Sequence, residues 1–279
     1  MVRHVTFALC LCVAVVACGQ EAPAKSAKDE AARRRLELML SALADCQISS
    51  PEIAIESALK TGKTPLLRYD DPTRGLGEKS DGLQDASVWR LGETGRPTAL
   101  ITLEIYRNGP KKAILSYEFL SLTPSPLELK SPRGPLWTPT STDLRMAPLD
   151  KAPSPADTPR GRLVQMRQLA RRFTVQETLP PGDNKIECRL LAQPIDRYDG
   201  GQEKVLDGAI FAFANGTNPE VALLLECTER EWFFGLARLS SAALQANLDG
   251  QSCFEAARVT LSGAKDSYAG MGYSIDWQD

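Results

Sequence analysis

The sequence predicts an α+β fold in which N-terminal helices are followed by two antiparallel β-rich regions joined by a helix. Three observations predict this class: apolar residues at helical spacing near the N-terminus, alternating apolar and polar residues over 86–123, and a second series of alternating segments over 186–257. The chain has 279 residues, of which 43 % are hydrophobic and 24 % charged, so it can form a sizeable core. These patterns leave open whether the two β regions pack as one unit.

Residues 1–17 have the pattern of a secretory signal peptide, because a cationic start precedes an apolar run that is too short to span a bilayer. The run ends in the letters VVAC, which resemble the lipobox of bacterial lipoproteins, where the cysteine is acylated and the chain is cut just before it. We therefore predict lipidation of Cys18, a lipidated tether over 18–27, and a membrane partner held through the lipid anchor. The predicted location is the bacterial cell envelope, facing the periplasm or the exterior. An ordinary cleaved signal that contains a cysteine is the alternative.

A helical lead is predicted over 28–62. Its first helix carries an apolar stripe, and a second short helix is expected over 51–60. The first antiparallel β region, 63–150, contains a meander of at least three strands, with a β-hairpin that turns at Asn108-Gly109. Nine prolines between 124 and 160 restrict the rest of this region to short edge strands, because proline cannot donate a ladder hydrogen bond.

A linker over 151–158 leads to a helix whose N-cap is Thr158 and whose first residue is Pro159. This helix and a second antiparallel β region make up 159–279, with a tight Asp-Gly hairpin turn near the end. One face of the helix is apolar, and the opposite face carries Arg160, Arg162, Arg167, Arg171 and Arg172. Such a face can contact lipid head groups or an acidic partner, and a solvated helix surface is the plainer interpretation.

Cys188 and Cys227 both alternate with apolar residues on predicted strands, so both are expected to face a core. An oxidising location outside the cytosol permits a disulfide between them. Two separate buried thiols that act as small hydrophobic side chains are an equally good interpretation.

The composition excludes several classes of function. Nucleic acid is not an expected partner, because 33 basic residues are outnumbered by 35 acidic ones. The only histidine, His4, lies in the predicted signal peptide, which excludes Ser-His-Asp and Cys-His catalysis and histidine-ligated metals in the exported protein. Two acidic loops, around Asp85 and Asp207, resemble solvated turns more than calcium sites. We therefore assign no catalytic, cofactor-binding or metal-ligating residue.

Two features keep a carbohydrate ligand open. Glu104 and Glu118 lie on adjacent strands and could act as the paired carboxylates of a glycan hydrolase, although the polar faces of their strands suggest solvent exposure. Aromatic side chains could also stack on sugar rings, but packing in a core is the simpler expectation: Trp89, Trp137, Trp232, Trp277, Tyr69, Tyr106 and Tyr198.

Six strings resemble a known family when they are taken in order: LLRYDDPTRG from Leu66, VWRLGETGRPTAL from Val88, LSYEFLSLTPSPLEL from Leu115, RLVQMRQLARRF from Arg162, CRLLAQPIDRY from Cys188 and LDGAIFAFANGTNPEVALLLE from Leu206. They are similar to a family of uncharacterised exported lipoprotein-like proteins that is common in planctomycete bacteria. The likeness covers Thr64 to Ala257. It implies a shared architecture and transfers no catalytic residue, since no activity is assigned to that family.

These observations favour a non-enzymatic cell-envelope lipoprotein that binds another envelope protein or an envelope polymer. A carboxylate-dependent glycan hydrolase is the alternative function. The two differ in a simple respect, because only the hydrolase requires two carboxylates that face one cleft.

Overall fold

The computed structural model describes residues 22–52, 61–71, 82–131, 134–179, 184–200, 204–260 and 263–277. The chain is mostly β, with 50 % strand and 13 % helix, and its sheets include a half-barrel. The described helices are α1 (Ala22–Ala44) and α2 (Pro159–Ala170). The strands are β1 (Gln47–Ser49), β2 (Leu67–Asp71), β3 (Leu83–Leu91), β4 (Ala99–Arg107), β5 (Lys112–Ser121), β6 (Glu128–Ser131), β7 (Gly134–Trp137), β8 (Ala147–Pro148), β9 (Phe173–Leu179), β10 (Asn184–Leu190), β11 (Asp196–Tyr198), β12 (Asp207–Asn215), β13 (Asn218–Cys227), β14 (Trp232–Arg238), β15 (Ala243–Leu248), β16 (Gln251–Ala256) and β17 (Tyr268–Asp276).

The predicted fold class is therefore wrong. That class is α+β, with N-terminal helices followed by two antiparallel β-rich regions joined by a helix. Helix α2 does not act as a connector between two folded halves, because its apolar face packs on strands that follow it in the chain. Helix α1 begins at Ala22, inside the predicted tether. The second predicted helix, 51–60, falls almost wholly outside the described residues.

The strands form two large antiparallel sheets and one small one. The first sheet has the order β17-β5-β4-β3-β2, and the second runs β16-β15-β9-β10-β12-β13-β14-β8, with β11 added beside β12. The small sheet is β1-β6-β7. Strand β17 comes from the C-terminal part of the chain and joins the first sheet, whereas β8 comes from the predicted first region and joins the second. The two β regions thus exchange strands.

The two large sheets pack face to face around a shared apolar layer. On the first sheet this layer includes Val88 and Leu100, and on the second it includes Ile210 and Leu224. Because strand side chains alternate between faces, each sheet has a second apolar face. Met39 of α1 covers that face of the first sheet, and residues of α2 cover that of the second.

The local predictions at the start of α2 and in the β15–β16 hairpin are confirmed. Thr158 is the N-cap, and its Oγ1 accepts a hydrogen bond from the backbone N–H of Gly161 at 3.1 Å. The β15–β16 hairpin turns at Asp249 and Gly250, whose φ angles of 50° and 81° suit a tight two-residue turn. Strand β13, predicted to be central because it is apolar on both sides, is buried throughout and lies between β12 and β14.

Candidate functional site

The second sheet divides next to the end of α2. Strand β10 pairs with β9 from Asn184 as far as Cys188, which lies opposite Val175. It then pairs with β12 on its other side, beginning with Arg189 opposite Ala214. The first residues of β9 and the last residues of β10 therefore diverge. A cleft of about 630 Å³ occupies this fork, and its volume lies within the range typical of small-molecule sites.

The floor of the cleft is apolar. It includes Phe173 at the start of β9, Leu190 at the end of β10, and Phe211 and Phe213 of β12. Leu190 is half-buried, whereas the three phenylalanines are at most 3 % exposed. The alternation of β12 explains this composition, because its odd-numbered residues face α2 while its even-numbered residues face the first sheet. The Phe173 ring also packs against Phe234, with ring centroids 5.2 Å apart.

Three arginines line the same cleft: Arg167 and Arg171 from the end of α2, and Arg189 from β10. Arg171 and Arg189 are exposed. Arg167 is half-buried and donates one hydrogen bond to Oε1 of Gln193, and within the described residues its buried Nε has no hydrogen-bond partner. Three guanidinium groups beside one carboxylate, that of Glu187, leave an excess of positive charge. We call this site the arginine cleft.

The five arginines predicted to share one face of α2 have different roles in the structure. Arg162 is buried and its Nε donates to Oδ2 of Asp207 at 2.9 Å. Arg172 pairs with Asp249 at 2.6 Å, which ties the end of α2 to the β15–β16 turn. Only Arg167 and Arg171 of the five line the described arginine cleft. The sequence identified the arginines of α2, but it did not indicate which of them form ion pairs and which line a cavity.

Cys188 and Cys227 are separate free thiols. Strand β12 lies between their strands, and the two cysteines occupy opposite ends of the sheet. Cys188 comes just before Arg189, which lies opposite Ala214 of β12. Cys227 lies opposite Asp207, which is seven residues before Ala214 on the same strand. That offset corresponds to about 23 Å at about 3.3 Å per residue, far beyond disulfide reach. The predicted bridge is not present, and Cys188 instead lies in the arginine cleft.

Neither glutamate of the hydrolase alternative lines the arginine cleft or either of two other clefts that the described residues form beside α1. Glu104 is buried, contrary to the expected exposure, and accepts hydrogen bonds from Tyr69 at 3.1 Å and Tyr106 at 2.9 Å. Glu118 is half-buried. Burial, reinforced by the Glu104 carboxylate, raises the pKa of Tyr69 well above its usual value, so this phenol stays protonated as a donor.

The acidic loops pair with arginine side chains. Asp85 accepts from Arg35 and Arg68, and Asp207 accepts from Arg162 and Arg197. Within the described ranges, no group of three or more histidine, cysteine or acidic side chains is arranged to hold a metal ion. Asp81 and Glu203, which belong to the predicted acidic loops, lie outside the described residues.

The aromatic side chains considered for sugar stacking are all buried: Trp89, Trp137, Trp232, Trp277, Tyr69, Tyr106 and Tyr198. Packing in the core, the simpler expectation, is therefore confirmed. Cys18 and residues 1–17 lie outside the described residues. Among the helices that are described, none combines the length and apolar character needed to cross a membrane.

Comparison with known proteins adds no relative: no family model, no curated protein and no solved structure matches the chain.

Proposed function

We propose that the protein is a non-enzymatic binding protein of the bacterial cell envelope, anchored to a membrane through Cys18, and that the arginine cleft is its ligand site. The observation that carries this proposal is a cavity of about 630 Å³ with the guanidinium groups of three arginines on its walls. Arginine is suited to planar anions such as carboxylate and phosphate, because it can donate two parallel hydrogen bonds. The ligand is therefore negatively charged.

The rest of the molecule supports binding without catalysis. Four buried acidic side chains that could act as general acids or bases are held by arginines or tyrosines: Asp85, Glu104, Asp207 and Glu226. A fifth, Glu177, accepts a hydrogen bond from the side-chain amide of Asn215. The cleft itself has one carboxylate, on Glu187, and that residue is exposed on a strand rather than enclosed near a second acid. These contacts favour structural roles for the buried acids.

A fluorescent probe tests the ligand site. Anilinonaphthalene sulfonate has a sulfonate group and an apolar ring system, and we expect the protein to bind it with increased fluorescence. The double variant Arg171→Glu/Arg189→Glu should bind it at least about tenfold more weakly, since two charge-assisted contacts are reversed. Arg230→Glu is the matched control, because Arg230 is an exposed arginine of the β13–β14 turn. Equal binding by all three proteins would contradict the proposal.

Metabolic labelling with palmitate tests the anchor. The unaltered protein should take up label and partition with membranes, whereas Cys18→Ala should do neither. Unlabelled, freely secreted wild-type protein would overturn the envelope anchor while leaving the arginine cleft as a separate question.

A further inference from the structure

Strand β17 is an edge of the first sheet, and it differs from the other edge strands. Unpaired strand edges are templates for another chain, so proteins usually protect them with bulges, prolines, charges or short length. Among the described strands that end the two large sheets, β8 has only two residues, and β2 and β16 each pair with an irregular register. Strand β17 pairs with β5 over nine residues without a register shift, and it contains neither proline nor a basic residue. This edge is therefore long, regular and unprotected.

The pairing of β17 identifies the main-chain groups that it directs outward. The N–H of Trp277 donates to the carbonyl of Lys111 at one end of β17, and the carbonyl of Ser267 accepts from Ser121 at the other. Because hydrogen-bonded pairs alternate with non-hydrogen-bonded pairs in an antiparallel ladder, the odd-numbered residues of β17 bond to β5 and the even-numbered residues face away from it. No described strand lies on that side. The even-numbered residues in the second half of β17 are all exposed: Gly272, Ser274 and Asp276.

A pocket of about 290 Å³ lies beside this edge, on the face of the first sheet that α1 covers. Tyr273 and Ile275 of β17 line it, together with Leu115 of β5 and Leu136 of β7. Asp45, just after the end of α1, is the only charged side chain among the described lining residues. It is exposed, and no described cation pairs with it. The pocket, which we call the β17 pocket, thus combines apolar walls with one accessible negative charge.

The edge and the β17 pocket together restrict the partner. A residue of an added strand that lies opposite Tyr273 or Ile275 points to the same face as these side chains, with Cβ atoms about 5 Å apart. Its side chain therefore extends toward the pocket. Lysine or arginine suits this position, because the carbon stem can pack on the apolar walls while the cationic head binds Asp45. A second copy of β17 supplies no such cation, since the strand has no basic residue.

We propose that β17 is a docking edge for an extended segment of another protein, which pairs with Gly272, Ser274 and Asp276 and places an arginine or lysine side chain in the β17 pocket. In this mode of recognition, main-chain hydrogen bonds provide affinity and a pocket selects the side chain. The β17 pocket shares no described lining residue with the arginine cleft. The proposal therefore goes beyond the ligand site and stands or fails separately from it.

A labelled peptide tests the docking edge. The probe is fluorescein-labelled Thr-Val-Thr-Arg-Thr-Val-Thr, in which the arginine and the valines share one face of an extended chain. Fluorescence anisotropy measures binding. Ser274→Pro should bind the peptide at least about tenfold more weakly than wild type, because proline removes an outward N–H and its ring blocks the approach of a strand.

The proline variant is expected to fold. Proline is tolerated on an edge strand where the lost N–H faces outward, and the N–H of Ser274 does not face β5. Circular dichroism establishes that the variant is folded. Ser274→Ala is the matched control, because it removes the hydroxyl and keeps the main-chain donor, so it should bind the peptide as wild type does.

Reversal of the charge at Asp45 tests the choice of side chain. Wild type should bind the arginine peptide at least about fivefold more tightly than the same peptide with glutamate in place of arginine. Asp45→Lys should reverse this preference, which a merely structural effect of the substitution would not do. Asp29→Lys is the matched control, because Asp29 is exposed on α1 and does not line the β17 pocket. It should keep the wild-type preference.

Hydrogen exchange measured by NMR locates the bound peptide. The outward amides of Gly272, Ser274 and Asp276 should exchange at least about fivefold more slowly with the peptide bound. If these amides are not protected, or if Ser274→Pro binds as well as Ser274→Ala, the docking edge is refuted. If Asp45→Lys keeps the preference for arginine, the proposed partner chemistry is overturned.

Sedimentation distinguishes a foreign segment from a second copy of the chain. We expect wild type and Ser274→Pro to be in the same oligomeric state. A wild-type dimer that Ser274→Pro converts to a monomer would overturn the proposal, because a second copy would then occupy the edge. None of these results bears on the arginine cleft, which the sulfonate probe tests by itself.

Discussion

At the scale of single residues, the buried carboxylate of Glu226 is satisfied by specific partners. Tyr198 donates to Oε1 of Glu226 at 2.6 Å. Nε and Nη2 of Arg96 donate to the two oxygens of the same carboxylate. A buried carboxylate without such partners would cost several kcal/mol. Close packing positions Tyr198 beside Glu226, because Gly208 has no side chain and allows the Tyr198 ring to lie directly against the β12 backbone.

Gly208→Ala should therefore destabilise the protein. A Cβ at this position would overlap the Tyr198 ring, and the ring cannot move away without weakening its hydrogen bond to Glu226. We expect a loss of about 1–3 kcal/mol in the free energy of unfolding, measured with urea. Gly270→Ala is the control, since the nearest atom to its Cβ would be 3.8 Å away. A loss no larger than that of the control would refute the packing argument.

The cysteines should differ in reactivity. Burial, followed by the nearby Asp207 carboxylate, raises the pKa of the Cys227 thiol to about 11, so almost no thiolate exists at pH 8. Cys253 is exposed, although partial burial of its thiol raises its pKa as well. With iodoacetamide at pH 8, Cys253 should be alkylated first, and Cys227 only after unfolding. Peptide mass spectrometry at successive times provides the measurement, and equal rates would contradict this expectation.

At the scale of elements, the sequence predicted those features that local chemistry specifies. The N-cap at Thr158 and the turn at Asp249 follow from residue preferences over a few positions. Strands β9 and β17 were not predicted. Phe173 continues the apolar spacing of α2 by one turn, although the helix ends at Ala170 and the residue begins a strand. At Phe173, strand pairing outweighs the helical spacing of apolar residues. Strands β15 and β5, which pair with β9 and β17, are distant from them in sequence, so no local pattern of residues predicts this pairing.

The ion pair between Arg172 and Asp249 should make stability depend on pH. Its hydrogen bond from Arg172 lowers the pKa of Asp249 in the folded protein. A lowered folded-state pKa contributes stability above the unfolded-state value of about 3.9, and this contribution is lost as the pH falls through the folded-state pKa. Asp249→Asn should therefore be less stable than wild type at pH 7, with the difference decreasing below pH ~3.9.

Asparagine suits this substitution because it tolerates the positive φ of 50° at position 249, so the turn is kept. Urea unfolding at pH 7 and at pH 2.5 measures the difference. High salt at pH 7 should also reduce it, since the pair is partly exposed. If the stability difference between wild type and Asp249→Asn grew as the pH was lowered, the ionised Asp249 would not be the stabilising form, and the prediction would be wrong.

At the scale of the whole molecule, the arginine cleft depends on strand order, which the sequence does not reveal. Its residues come from α2, β9, β10 and β12, and the fork exists only because β10 changes partners at Cys188. Sequence patterns identified apolar strands and an arginine-rich helix separately. The exchange of β8 and β17 between the sheets was equally hidden, since neither short-range spacing nor turn chemistry specifies which sheet a strand joins.

Two arginines, one at the end of β3 and one in the β3–β4 turn, form ion pairs with residues of the second sheet. Arg90 contacts Asp196 at 2.9 Å, and Arg96 contacts Glu226 at 2.6 Å with only 4 % of the glutamate side chain exposed. Arg96→Met should remove the guanidinium and leave the Glu226 charge buried beside Tyr198. Breaking one side of a buried pair costs about 3–5 kcal/mol, which is a large part of the stability of an ordinary domain. Urea unfolding measures this loss.

A double variant determines whether the uncompensated charge is the cause. In Arg96→Met/Glu226→Gln the amide can still accept from Tyr198, so we expect at least half of the lost stability to return. Lys112→Met is the matched control, because the Lys112–Asp276 pair also joins two strands but is 56 % and 88 % exposed. Its loss should stay within about 1 kcal/mol. If the double variant is no more stable than Arg96→Met, the loss comes from packing of the arginine chain, and the ion pair with Glu226 does not help to hold the two sheets together.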